Sequence, residues 1–207
     1  TREVLQQELL QRPPMGGVGE EVQIDECLLR GKRKANKGRL LSGDHVPPRH
    51  RNNYGGVADN GPWVFGMVWS QTGELRLFKV DKRYAATLGP IIAANIKPGT
   101  TVYSDEWAAY NCIPSLQDPT GVPLNLNWHT VNRTIHFVDP TTRANTQRIE
   151  SAWQKIKRKL VRNGQKTSSA LLESHLYWHW WQSINGRTKC SDPFLRLMEA
   201  IARCYPL

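Results

Sequence analysis

Three apolar runs with a period of two come before the first interior helical pattern, and they constrain the fold more than any other feature. "EVQIDECLL" sets Val22, Ile24 and Leu28 against Gln23, Asp25 and Cys27, the alternation of a strand with two different faces. "WVFGMVW" (Trp63 to Trp69) and "ELRLFKV" (Glu74 to Val80) flank "SQTG", which predicts a hairpin. Beyond Val80 the periods alternate. "YAATLGPIIAANI" (Tyr84 to Ile96) is helix-like despite Pro90, and "KPGTT" turns the chain into a strand ending at Asp105. A helix-like segment follows at once, then a strand from Leu124 to Asn132. From Arg143 to Val161 the spacing predicts a helix, with Ile149, Ala152, Trp153, Ile156 and Leu160 on one stripe. Two more helices are predicted around Ser169 to Ile184 and Pro193 to Arg203. An antiparallel opening followed by strands alternating with helices predicts an α/β fold, a mixed sheet covered by helices.

The flanks are less regular. "TREVLQQELLQR" reads as the end of a helix with Val4, Leu5, Leu9 and Leu10 on one side, and "PPMGGVG" (Pro13 to Gly19) as a linker. From Arg30 to Tyr54 the chain is polar and basic, which predicts a long loop or interrupted hairpin. The hydrophobic share of 39% and eight Trp in 207 residues supply a real core. No apolar run approaches a membrane span and no signal-peptide pattern is present, so an intracellular protein without a membrane partner is expected. Lys and Arg number 28 against 18 acids, a formal charge of +10; such an excess points to a polyanion, nucleic acid first. Cys27, Cys112, Cys190 and Cys204 form no C-x-x-C pair, which argues against a zinc site or disulfide framework.

Three acids stand apart from this background. Asp25 lies on the polar side of an otherwise apolar strand, Asp105 ends a later strand, and Glu150 sits on the flank of the long helix's apolar stripe with Arg143 and Lys157. Three gathered carboxylates repel, each pair by about 4 kcal/mol at about 4 Å and an effective dielectric near 20. Divalent cations offset this, and oxygen-only ligands favour Mg²⁺ or Mn²⁺ beside substrate phosphates. A basic chain suits such a substrate. Glu26 and Glu106, beside two of the acids, are read as structural. Lys32, Arg33, Lys34, Lys37 and Arg39 form a dense run after the first strand, and Lys157 and Arg158 lie on the Glu150 helix; these are candidate phosphate contacts. His129, Asn132 and His136 precede that helix and are candidates to assist. "YWHWW" (Tyr177 to Trp181) is too aromatic for one buried face, so partial exposure is expected. Phe194, Leu197, Met198, Ile201 and Tyr205 form a stripe that either closes the core or joins two subunits.

The blocks "VQIDECLLRGKRKANKGR", "WVFGMVWSQTGELRLFKVDKRYAATLGPII", "IKPGTTVYSDEWAAYN" and "HTVNRTIHFVDPTTRANTQRIESAWQKIKRKL" resemble, in order, the catalytic domain of the Merlin superfamily of DNA transposons and related bacterial insertion-sequence transposases. The resemblance implies a ribonuclease-H-like mixed five-stranded sheet flanked by helices, with a C-terminal helical extension. It implies a DDE triad of Asp25, Asp105 and Glu150 as catalytic and metal-holding residues; from their charge and placement, Lys32, Arg33, Lys34, Lys37, Arg39, Arg143, Lys157 and Arg158 are expected on DNA. Two divalent cations, Mg²⁺ with Mn²⁺ as substitute, would serve hydrolysis at transposon ends and strand transfer of the 3′-hydroxyl. The implied partners are double-stranded DNA (terminal inverted repeats and target) and further copies of the chain, as a homodimer or higher assembly. The implied place is the nucleus in a eukaryotic host, the nucleoid or cytoplasm in a bacterial one. The division expected is a helix and linker over 1–19, the catalytic domain over 20–184 and a helical tail over 185–207. The stretch "LLSGDHVPPRHRNNYGGVADNG" extends the basic loop beyond the family pattern, and of the N-terminal DNA-binding module usual in such transposases only a trailing helix is expected here. A domesticated DNA-binding protein or a structure-specific host nuclease of the same fold are the rival expectations; a glycosidase leaves the charge unexplained.

Overall fold

The computed structural model describes residues 2–29, 63–131, 138–139, 144–162 and 169–206. Strands β1 (Glu21–Leu28), β2 (Trp63–Trp69), β3 (Leu75–Val80), β4 (Thr101–Ser104) and β5 (Asn127–Thr130) form one sheet in the order β3-β2-β1-β4-β5. β1, β2 and β3 pair antiparallel, whereas β4 joins β1, and β5 joins β4, in parallel. The helices are α1 (Arg2–Leu10), α2 (Ala85–Asn95), a 3-10 helix (Ala108–Ser115), α3 (Gln147–Arg162), α4 (Ser169–Asn185) and α5 (Pro193–Cys204). An antiparallel trio continued by two parallel strands and flanked by helices is the ribonuclease-H-like α/β architecture.

Both sheet faces are covered. Val22, Ile24, Phe65, Met67 and Val102 pack against Leu88 and Ile92 of α2 and against Tyr110 and Ile113. On the opposite face Cys27, Val64, Val68 and Leu77 meet Ile149, Trp153 and Ile156 of α3 and Leu172 and Leu176 of α4. Burying each such large side chain contributes about 1.5–3 kcal/mol. β1 therefore alternates between two cores, and its polar face is not at the surface: Gln23 is 1% exposed and Asp25 6%.

Several sequence expectations need correcting. Leu10 is exposed, because α1 turns only Val4, Leu5 and Leu9 inward, the last two against Trp180 and Trp181. Within the Pro13 to Gly19 linker, Met15 is fully buried, receives the Lys97 N–H at its carbonyl and donates to the carbonyl of Asn95. β5 is shorter than predicted because Asn125 adopts φ +46°, a left-handed kink that breaks the extended run. Leu124 and Leu126 are nonetheless buried. α3 starts at Gln147 and not at Arg143, since Asn145 is held extended by a bridge to Val138. The segment after Asp105 is a 3-10 helix that starts at Ala108. In the aromatic cluster Trp180 and Trp181 are buried while Trp178 is partly exposed and stacks on Trp181. On α5, Leu197 packs against the Trp180–Trp181 cluster, but Phe194, Met198 and Tyr205 stay exposed. All four cysteines are free, and no described helix is long and apolar enough to cross a membrane.

Gly66 shows how tightly α3 sits on the sheet. A Cβ there would lie 2.5 Å from Trp153 Cζ2, 2.7 Å from Cη2 and 3.1 Å from Ile149 Cδ1. Gly66→Ala is expected to lower stability by about 1–3 kcal/mol through overpacking, read as a shift in urea midpoint with unchanged slope. A neutral effect would mean that α3 shifts freely over β2.

Candidate active site

Parallel pairing aligns the two aspartates. Glu21 pairs with Thr101, Val22 with Val102 and Gln23 with Tyr103, a constant offset of 80 positions. Extended by two residues, the same offset puts Asp105 level with Asp25, on the same face of adjacent strands about 4.8 Å apart. That face is the one α3 covers. Trp153 Nε1–H donates to Asp25 Oδ2 at 3.1 Å, while Asp105 Oδ1 accepts from the Trp107 N–H at 3.1 Å. The Asp105 bond is an Asx-type turn leading into the 3-10 helix, whose own cap residue is Trp107.

The third acid is positioned by a residue that sequence reasoning left without a role. Gln23 Oε1 accepts the N–H groups of Arg148 (2.9 Å) and Ile149 (3.2 Å), and Gln23 Nε2 donates to Asn145 Oδ1 (2.9 Å). Those N–H groups are two of the unpaired donors every helix start leaves. A β1 amide thus fastens the first turn of α3 two residues from Asp25, and Glu150 follows Ile149 directly. Glu150 is half-buried and accepts from Thr146 Oγ1 at 2.8 Å. The period-two alternation did put Gln23 on the face of Asp25, which was the available signal.

Among the described residues, no three His, Cys, Asp or Glu side chains are gathered closely enough to hold a single ion. The β1–β4 pairing stops at Gln23 and Tyr103, two residues short of both aspartates; Asp25, Asp105 and Glu150 accept from Trp153, Trp107 and Thr146 respectively. The donor set still fits hard dications, which take one or two protein carboxylates each and complete their shells with water and phosphate.

Of the other predicted residues, Lys157 and Arg158 are exposed on α3. Lys157 lies close enough to Cys27 to counter, in part, the rise in thiol pKa that burial causes; Cys27 is two residues from Asp25 on the same face. His129 is half-buried in the row of Tyr103, the two rings 6.0 Å apart. Lys32, Arg33, Lys34, Lys37, Arg39, Asn132, His136 and Arg143 lie outside the described residues.

Glu26 faces away from Asp25, toward fully buried Tyr110. Burial above all raises its carboxyl to about 7; the Tyr110 hydroxyl opposes this, the charges of Asp25 and Asp105 add to it, and Arg83 opposes it. Burial, then the Glu26 charge, pushes the Tyr110 hydroxyl well above its ordinary value. Between pH 4.5 and about 7 the folded chain keeps a Glu26 proton that the unfolded chain releases. Stability therefore falls as pH rises through that window, by about 3 kcal/mol at most. In EDTA, the melting temperature of Glu26→Gln should drop less than that of the wild type between about pH 5 and about pH 7.5. Parallel profiles would show that Glu26 titrates normally.

The model of the ISXO2-like transposase domain matches residues 17–163. Among solved structures, the simian T-cell lymphotropic virus intasome in complex with PP2A regulatory subunit B56 gamma contains a chain similar to this one. Their TM-score is 0.44 at 12% identity, covering 84% of this chain and 53% of that one. No curated protein matches. With the family match running from the linker before β1 to the end of α3, the chain belongs to the ISXO2-like transposase domain family.

Proposed function

We propose that this chain is the catalytic domain of a DDE transposase of the Merlin type, which hydrolyses phosphodiesters at transposon ends and transfers the freed 3′-hydroxyl into target DNA. Asp25, Asp105 and Glu150 hold two divalent cations, Mg²⁺ with Mn²⁺ as substitute. Such a pair supplies an activated attacking oxygen and stabilisation of the leaving one. The chain's own part is positional. Gln23 fixes the approach of α3, Trp153 orients Asp25, and the Trp107 N–H orients Asp105. Lys157 and Arg158, with Lys32, Arg33, Lys34, Lys37, Arg39 and Arg143, hold the phosphate backbone. His129, Asn132 and His136 assist beside the acids. Residues 20–184 form the catalytic domain between a leading helix with its linker (1–19) and a helical tail (185–207), and the element's two ends are handled by two or more copies of the chain.

The observation that carries this reading is the 80-position offset of the three β1–β4 pairs, which, continued by two residues, supports two aspartates side by side under the helix that bears Glu150. The test uses a labelled duplex carrying the element's terminal repeat, incubated with Mg²⁺, Mn²⁺ or EDTA. Cutting at the element's end with either metal, and none in EDTA, is expected. Cutting that persists in EDTA, or hydrolysis of an RNA–DNA hybrid in preference to the duplex, would overturn it.

A further inference from the structure

Arg83 is built unlike the other arginines with described partners. Arg2, Arg12, Arg76, Arg196 and Arg203 each form an ion pair with a glutamate. Arg83 is half-buried, yet among the described residues no carboxylate lies within ion-pairing distance of it and no group accepts from its guanidinium. Two indoles lie against it. The guanidinium carbon lies 3.7 Å from the ring centre of Trp63 and 4.8 Å from that of Trp107. The Trp107 indole N–H donates to the Arg83 carbonyl at 3.2 Å, which ties the arginine's backbone to the same indole.

The location gives this arrangement a purpose. Trp63 pairs with Leu28 and Val80, at the edge of the sheet where β1 and β3 end. Trp107 is two residues from Asp105 and is bonded to it. The charge of Arg83 is felt by Glu26, which also feels Asp25 and Asp105. A partly desolvated cation without a counter-ion is costly. Two indoles offset part of that cost through cation–π attraction, while the guanidinium N–H groups keep no acceptor among the described residues and stay available to a ligand. They form a planar fork matching two oxygens of a phosphate.

We propose that Arg83, held against the rings of Trp63 and Trp107, is a phosphate clamp that grips one phosphodiester of the DNA strand entering beside Asp105. The inference rests on the transposase reading and adds to it a binding residue and its ligand. Neighbouring Lys82, whose ammonium lies 5.8 Å from the ring centre of exposed Tyr84, extends the positive edge outward.

The experiment measures binding of the full chain to a fluorescein-labelled 20-base-pair duplex of arbitrary sequence, in Ca²⁺, over a series of salt concentrations. The variants are Arg83→Gln, Arg83→Lys and Lys97→Gln. Lys97 precedes β4 and is exposed at the opposite edge of the sheet, so its variant removes the same unit of charge elsewhere. Arg83→Gln should bind about tenfold more weakly and lose about one unit of log Kd against log salt slope. Arg83→Lys should keep the slope yet recover only part of the affinity, since an ammonium lacks the fork. Lys97→Gln should match the wild type. Equal effects of Arg83→Gln and Lys97→Gln, or an Arg83→Gln salt slope identical to the wild type's, would overturn the clamp and leave the transposase reading standing. A wild-type chain that fails to bind the duplex even at low salt would overturn both.

Discussion

Asp25→Asn, Asp105→Asn and Glu150→Gln should each lower single-turnover cutting of a terminal-repeat duplex by at least about a thousandfold, or about 4 kcal/mol of barrier. Each change keeps the shape of the side chain and an oxygen acceptor. The Trp153 donor to Asp25, the Trp107 donor to Asp105 and the Thr146 donor to Glu150 therefore retain partners. Stability should stay within about 1 kcal/mol of the wild type, because each variant also removes one charge from a like-charged group. DNA binding should hold or tighten for the same reason. Loss of cutting without loss of folding or binding separates chemistry from scaffolding. A double variant, Asp25→Asn with Glu150→Gln, should cut no more slowly than either single one, since residues acting as a unit are not additive. If Glu150→Gln cuts as fast as the wild type, Glu150 has no place in the mechanism.

The largest stability effect is expected far from that site. Arg76 on β3 is 2% exposed and Glu74 4%. The arginine pairs with Glu74 Oε1 at 2.9 Å, donates to Asn95 Oδ1 on α2 at 2.8 Å and to the Pro13 carbonyl at 2.6 Å, and lies 5.6 Å from the Trp180 ring centre on α4. Arg12 binds the other oxygen of Glu74 at 3.1 Å. One guanidinium thus joins the sheet, two helices and the segment after α1. Arg76→Met leaves Glu74 buried beside a single partly exposed partner and leaves two carbonyl acceptors without donors. Breaking a buried pair this way costs about 3–5 kcal/mol, a large part of the stability of a domain this size. Adding Glu74→Gln should return part of the loss, because the stranded charge goes with it. Urea midpoints for the wild type, Arg76→Met and the double variant decide the matter. A drop below about 1 kcal/mol for the single variant would show that water reaches the site.

Legibility tracked how local each signal was. Period-two runs in β1, β2 and β3, and the stripe of Ile149, Trp153 and Ile156, announce their elements because neighbouring residues carry the whole pattern. The order of strands and helices, and with it the mixed sheet, follows from them. The kink at Asn125 was invisible because an asparagine adopts a left-handed backbone only where its surroundings require it. The start of α3 was misplaced for a related reason: its first N–H groups are received by Gln23, more than a hundred positions away. Met15 looked like part of a linker because its burial comes from α2 and the chain after it, not from its neighbours. Arg83 drew no notice in the sequence, since what marks it is the pair of indoles around it, contributed by β2 and by the turn after Asp105.

The hold of Gln23 on α3 also affects when the protein becomes competent. A helix whose opening turn is received by a distant amide has no self-sufficient beginning, so its final phase along the chain is decided only on arrival at the sheet. A ribosome-bound or proteolysed fragment lacking either partner would carry Glu150 on a helix whose first turn is not fastened to β1. Under the proposed function, competence to break DNA would thereby be coupled to completion of the tertiary structure, a safeguard that comes from one glutamine.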